Sequence, residues 1–192
     1  TAESFNQQVA AANTIINSLF DTDDRIVQAT SKTLNTELLQ PAGHHLSTFF
    51  NNLNLVNRRH YLSAILEHLV LQSGQEISFE KANTEGLAAL VCDQEKCTQC
   101  LACLNDCKIE ALSANENEMT LSHQNSLCVG CSVCIQVCPE RALSFADKVT
   151  LNPSFFELKV IASAEPMRCL QCGKIFGTRK SYDKVMSMLR SK

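Results

Sequence analysis

Eight of the eleven cysteines in this 192-residue chain fall into two runs of one spacing. Cys97, Cys100, Cys103 and Cys107 are followed by Cys128, Cys131, Cys134 and Cys138, each 31 positions after its counterpart. A CxxCxxCxxxC run written twice constrains the fold more than any hydrophobic pattern, because these thiols must gather around something. Three sulfurs at intervals of three residues let one tight loop wrap a single [4Fe–4S] cube, and the fourth corner has to come from elsewhere in the chain. The spacing points to iron–sulfur chemistry.

Other uses of cysteine predict other arrangements. Disulfide scaffolds are small, loop-rich and secreted, whereas this chain has an odd cysteine count and nothing resembling a secretory leader in residues 1–20. Structural zinc asks for four ligands as two separated pairs, not two dense quartets. The repeat also extends past the thiols, since Ala111-Leu112 recurs as Ala142-Leu143. Each half therefore reads as extended segment, cluster loop, short helix and extended segment, an α+β arrangement. Small apolar residues between the thiols, among them Leu101, Ala102, Val129, Gly130 and Val133, keep water from the sulfurs and leave backbone N–H groups free to reach them.

The halves differ after the fourth cysteine. Pro139 follows Cys138, and its fixed φ turns the chain away and starts a short helix. Lys108 follows Cys107. It reads either as a cation that favours an added electron or as a solvated lysine on a tolerant turn.

Residues 90–145 resemble the bacterial two-cluster [4Fe–4S] ferredoxins. That resemblance implies a crossover, with Cys97, Cys100, Cys103 and Cys138 on one cube and Cys128, Cys131, Cys134 and Cys107 on the other. Further on, Glu165-Pro-Met-Arg-Cys-Leu-Gln-Cys-Gly-Lys-Ile-Phe-Gly-Thr-Arg-Lys180 resembles the C-terminal part of large bacterial 4Fe–4S cluster-binding proteins associated with formate dehydrogenase systems. There a phrase CxxCGKPFGTRK follows the dicluster domain, and Ile175 stands where that phrase has proline. The resemblance implies redox partners of a formate dehydrogenase type and a further CxxC after the tail helix.

Within this chain, Cys169 and Cys172 make half of a zinc-ribbon site. Either a second pair lies beyond Lys192, or the two thiols recruit Cys92, or they form a reducible dithiol without metal. His123 and Cys92 each lie near a cluster run, but eight cysteines already complete the ligand set. Cys92 reads as a buried strand residue.

Residues 1–86 have no cysteine and read as a mostly helical region, 87–150 as the dicluster domain, and 151–192 as a tail with a knuckle and a terminal helix over 180–189. Phe5, Val9, Ala12, Ile16 and Leu19 follow helical spacing, as do Tyr61, Leu62, Ile65, Leu66, Leu69 and Val70 ahead of a stop at Gly74. Residues 77–88 read as a connector. His44-His45 fits a solvated turn better than a metal site, and Arg58-Arg59-His60 an exposed helix start better than a docking patch.

A formal charge of −3, made more negative by anionic cubes, argues against nucleic acid as a partner. No apolar run reaches bilayer length. Free thiols in this number call for a reducing cytoplasm. Thr1 in place of Met points to a processed protein or a piece of a longer one. Without a Gly-rich phosphate loop or a nucleophile paired with a base, the chain reads as a one-electron carrier or module rather than an enzyme by itself. The contrasting reading is a sensor or scaffold that acts through protein binding.

Overall fold

The computed structural model describes residues 14–15, 58–80 and 86–190. Contacts divide the chain into two units, residues 1–77 and 78–192. Of the expected helix over 5–19 residues 14–15 are described, and they are helical; the rest of it and the His44-His45 pair lie outside the described residues.

In the first unit, α1 (Arg58–Ser73) buries Ser63, Leu66 and Val70, a stripe at helical spacing. Tyr61 and Leu62, on the same sequence pattern, stay exposed. Gly74 ends the helix as expected, with φ +62° and its N–H donating to Val70 O at 3.1 Å.

The segment read as a connector supplies a strand. In β1 (Ile77–Glu80), Ser78 Oγ lies 2.9 Å from Thr150 Oγ1 of β6 (Lys148–Leu151), its partner strand.

The cysteine-rich part is built twice. Its first half runs β2 (Leu90–Cys92), thiol loop, α2 (Ala102–Asp106), β3 (Leu112–Asn115). Its second runs β4 (Thr120–Gln124), a 3₁₀ turn, thiol loop, α3 (Val133–Gln136), β5 (Leu143–Phe145). The halves interlock through their strands: β2 pairs antiparallel with β5, and β3 with β4, so each half completes the sheet of the other. On β4 lies β7 (Leu158–Ser163), antiparallel as well. Leu90, Leu112, Leu121, Leu143 and Ala162 form one buried core with Cys103 among them.

The short helices precede the fourth cysteine of each run. After it comes a turn, closed by Arg141 N–H to Cys138 O at 3.1 Å and by Glu110 N–H to Cys107 O at 3.4 Å. Pro139 therefore pre-sets a turn that leads into β5, not the helix its ring suggested. Lys108 takes the same turn position and donates Nζ to Asn105 O at 3.1 Å, tying off the end of α2.

The tail forms a ribbon, β8 (Pro166–Arg168) against β9 (Ile175–Thr178), followed directly by α4 (Arg179–Arg190). Thr178 joins three parts. Its hydroxyl donates to Thr98 O in the first thiol loop at 2.9 Å and accepts from Ser181 N–H at 3.2 Å, which makes it the N-cap of α4. Lys180 to Gln94 O and the Lys184–Glu140 ion pair hold the helix to the same face. Thr178→Val keeps the shape but orphans the cap and the loop carbonyl. It should cost about 1–3 kcal/mol, read as a lower denaturation midpoint of the anaerobic protein.

Candidate metal centre

Backbone handedness in the thiol loops repeats with the sequence. Gln99 (φ +54°) and Gly130 (φ +70°) stand 31 apart, as do Leu101 (+59°) and Ser132 (+66°), and Glu110 (+56°) and Arg141 (+49°). Left-handed residues are costly without glycine, so a matched set at fixed offsets reflects a shared demand. Left-handed residues interspersed in a tight loop bring successive N–H groups onto one concave face, the nest geometry found at iron–sulfur sites. Gln99 meets its cost by anchoring: it is buried and donates Nε2 to Ala162 O of β7 at 3.2 Å. Cysteine spacing alone did not reveal this position, although Gly130 at the matching place carried the signal.

The loops gather the eight thiols around two cavities. One is lined by Cys97, Cys100, Cys103 and Cys138, with Leu121 and Leu143 beneath. The other is lined by Cys107, Cys128, Cys131 and Cys134, with Phe145 and His123. The electrostatics follow this grouping at Cys134, whereas Cys103 feels Cys134 of the other group ahead of Cys138 of its own. Burial first, then Cys97 and Cys100, push the Cys103 thiol up to about 12. Burial, then Cys128, Cys131 and Cys107, push Cys134 up to about 11. A weaker influence of Cys134 on Cys103 marks how near the two groups lie. Crowded thiols that resist ionising one beside another are suited to sharing a cationic inorganic core, which makes their thiolates favourable.

The donor set fits iron–sulfur cubes: all-sulfur, four thiols per cavity, walls of aliphatic carbon, and backbone N–H groups close by. Ala142 N–H reaches Cys138 Sγ at 3.4 Å. Among the described residues no three Cys, His, Asp or Glu close tightly enough to hold a single metal ion. Each cavity keeps one exposed cysteine, Cys100 and Cys131, at matching places in the repeat.

Residues 96–143 match the 4Fe-4S dicluster domain family. This stretch is a ferredoxin-type iron–sulfur domain that binds [4Fe–4S] and serves electron transfer. Over 74 residues the chain is 32% identical to the archaeal-type glutamate synthase [NADPH] of Thermotoga maritima, a match covering 38% of this chain and 13% of that protein. Over 110 residues it is 29% identical to indolepyruvate oxidoreductase subunit IorA of Methanothermobacter thermautotrophicus, covering 56% of this chain and 17% of the relative. The match to the Archaeoglobus fulgidus protein of that name is 41% over 49 residues, 26% of this chain and 8% of the relative. The chain thus spans less than a fifth of each of these relatives. Their names are those of a glutamate synthase and an indolepyruvate oxidoreductase, so the formate association rests on the tail phrase alone.

Two further thiols sit in the tail. Cys169 and Cys172 bracket the turn of the β8–β9 ribbon, closed by Gly173 N–H to Cys169 O at 2.8 Å and Cys169 N–H to Lys174 O at 2.9 Å. The backbone N–H groups of Cys172 and Gln171, then the Cys172 thiol, hold the Cys169 thiol below its usual range. Cys92, by contrast, belongs beside the first quartet. It is half-buried on β2, and burial together with Cys97, Cys103 and Cys138 pushes it up to about 12. Recruitment of Cys92 to the knuckle has no support in this arrangement. Among the described residues no helix is long and apolar enough to cross a membrane.

Proposed function

We propose that this chain is an electron-transfer module carrying two [4Fe–4S] clusters, one held by Cys97, Cys100, Cys103 and Cys138, the other by Cys107, Cys128, Cys131 and Cys134. The sorting of the eight thiols into two cavities, each taking its fourth member from the other run, carries this reading. When bound, each cluster accepts and returns one electron. The chain's own residues do the rest. Ala142 N–H reaches the Cys138 sulfur, the shared leucine core excludes water, and Cys100 and Cys131 leave one corner of each site open to a partner.

The partners are redox subunits of a larger oxidoreductase in a reducing compartment, a reading supported by the matched relatives and by eleven free thiols. The tail phrase favours a formate dehydrogenase system among these. The knuckle supplies two thiolates, half of a zinc site, a reading supported by its N–H-lined turn.

Anaerobic purification followed by iron, sulfide and zinc analysis tests these assignments. About eight iron and eight sulfide per chain, with reversible bleaching on reduction, are expected. Colourless protein with zinc in the quartets would defeat the module reading. Zinc that persists in a Cys169→Ser/Cys172→Ser variant would defeat the knuckle assignment.

A further inference from the structure

Beside the first thiol loop lies a cleft that holds none of the eight quartet thiols. It has a volume of about 560 Å³ and three walls: the loop itself at Gln99 and Leu101, the β3–β4 hairpin, and the β8–β9 ribbon. A concave space of this size is that of a small-molecule site. Gln99 and Leu101 also line the cavity of Cys97, Cys100, Cys103 and Cys138, so a single layer of side chains separates the two spaces.

The ribbon is shaped toward this cleft. Met167 pairs with Gly177 and Arg168 with Ile175, so the register skips Phe176. In a regular strand consecutive side chains point to opposite faces, whereas here Ile175, Phe176 and Gly177 in succession all line the cleft. Bulges gather next to functional sites, where they re-aim a side chain. Phe176 keeps 61% of its surface exposed, a ring available for stacking. Gly177 has no left-handed φ to require glycine, and a Cβ there would meet no atom beyond its chain neighbours within 4 Å. Glycine weakens a strand interior, and where neither backbone nor packing asks for it, it marks the close approach of a ligand.

Charge then selects the ligand. The walls carry two cations, Arg168 and Lys174, against one carboxylate, Glu116. Arg168 gives an N–H at Nη1 to Gly173 O at 3.4 Å, and the guanidinium has five donors in a planar fork suited to phosphate or carboxylate. We propose that this cleft binds a planar aromatic anion of mononucleotide size, with its ring on Phe176, its anionic group on Arg168 and Lys174, and Gly177 as the bare floor. Its place one layer from the first quartet fits a ring that carries electrons, of the flavin mononucleotide class. That electron-carrying role rests on the ligand assignment above, whereas the binding itself does not.

The test is equilibrium dialysis of the anaerobically purified, oxidised full chain against flavin mononucleotide and against riboflavin, which has the same ring without the phosphate. Iron and zinc contents are measured first. Wild type should retain flavin mononucleotide saturably, and riboflavin about tenfold more weakly. Arg168→Gln and Lys174→Gln should each lose most of that preference and leave riboflavin retention unchanged. Phe176→Leu, which removes the ring, and Gly177→Val, which fills the floor, should weaken both ligands alike. No retention of flavin mononucleotide, equal retention of riboflavin, or a preference that survives both charge variants would overturn the proposal. So would Phe176→Leu and Gly177→Val proteins that bind as wild type does. If either of these two does not fold, the charge variants and the riboflavin comparison still decide the claim. Iron-free wild type that retains flavin mononucleotide would instead sink the cluster assignment and the electron-carrying role, and leave the site standing.

Discussion

Replacing Cys138 by alanine should remove the cluster held by Cys97, Cys100 and Cys103, while the thiols nearest to it in sequence, Cys128, Cys131 and Cys134, keep theirs. Iron should fall from about eight to about four per chain. The reason is in the walls of the two cavities, where Cys138 stands with the first run and Cys107 with the second. The interlocked strands enforce this exchange. Because β2 pairs with β5 and β3 with β4, the turn after each fourth cysteine emerges beside the loop of the opposite half. Pairs of substitutions make the test decisive, since changes within one unit do not add and changes in separate units do. Cys138→Ala with Cys100→Ala should be no worse in iron content than Cys138→Ala alone. Cys138→Ala with Cys131→Ala should lose nearly all iron. Were those two results reversed, the clusters would be held run by run and the crossover would be wrong.

The sequence was legible where one residue type carries the chemistry. Cysteine spacing marked the two thiol runs, and the recurrence of Ala-Leu marked the doubled architecture, because each depends on residues that few other demands would place in register. Backbone handedness was harder to read. Gly130 advertises a left-handed position, but its counterpart is Gln99, whose cost is met by a hydrogen bond to β7 across 63 residues of chain, and no local pattern encodes that. Pro139 misled for a related reason. A proline sets φ for the first residue of a helix and for the second residue of a turn alike, and the strand pairing that follows decides between them. The strand at residues 77–80 was missed because four residues alternating half-buried and exposed, lying among polar neighbours, declare themselves only through their partner β6.

Stripping the clusters with acid or a strong iron chelator under anaerobic conditions should unfold the region from residue 90 to 145 rather than leave an empty, folded apoprotein. The strands here are three to six residues long, in sheets of two or three, and such sheets are marginal in water without a packed face. Much of the packing they do have is made by the thiols themselves. Cys103 and Cys128 are buried within the two cores, and Cys97, Cys107, Cys134 and Cys138 pack against them. Six non-glycine residues among the described ones hold left-handed φ; Gln99 is anchored to β7, but for the four in the matched pairs the strain has no such offset without anionic clusters to gather the loop N–H groups. Binding free energy is then largely folding free energy, as in small metal-stabilised domains. Thiol labelling gives the clearest readout. Holoprotein should react at no more than Cys92, Cys169 and Cys172, whereas stripped protein should react at all eleven, with a parallel loss of far-ultraviolet circular dichroism. Apoprotein that keeps its dichroism and still shields the eight quartet thiols would show that the strands and leucines suffice alone, and that the cavities are built before the clusters arrive.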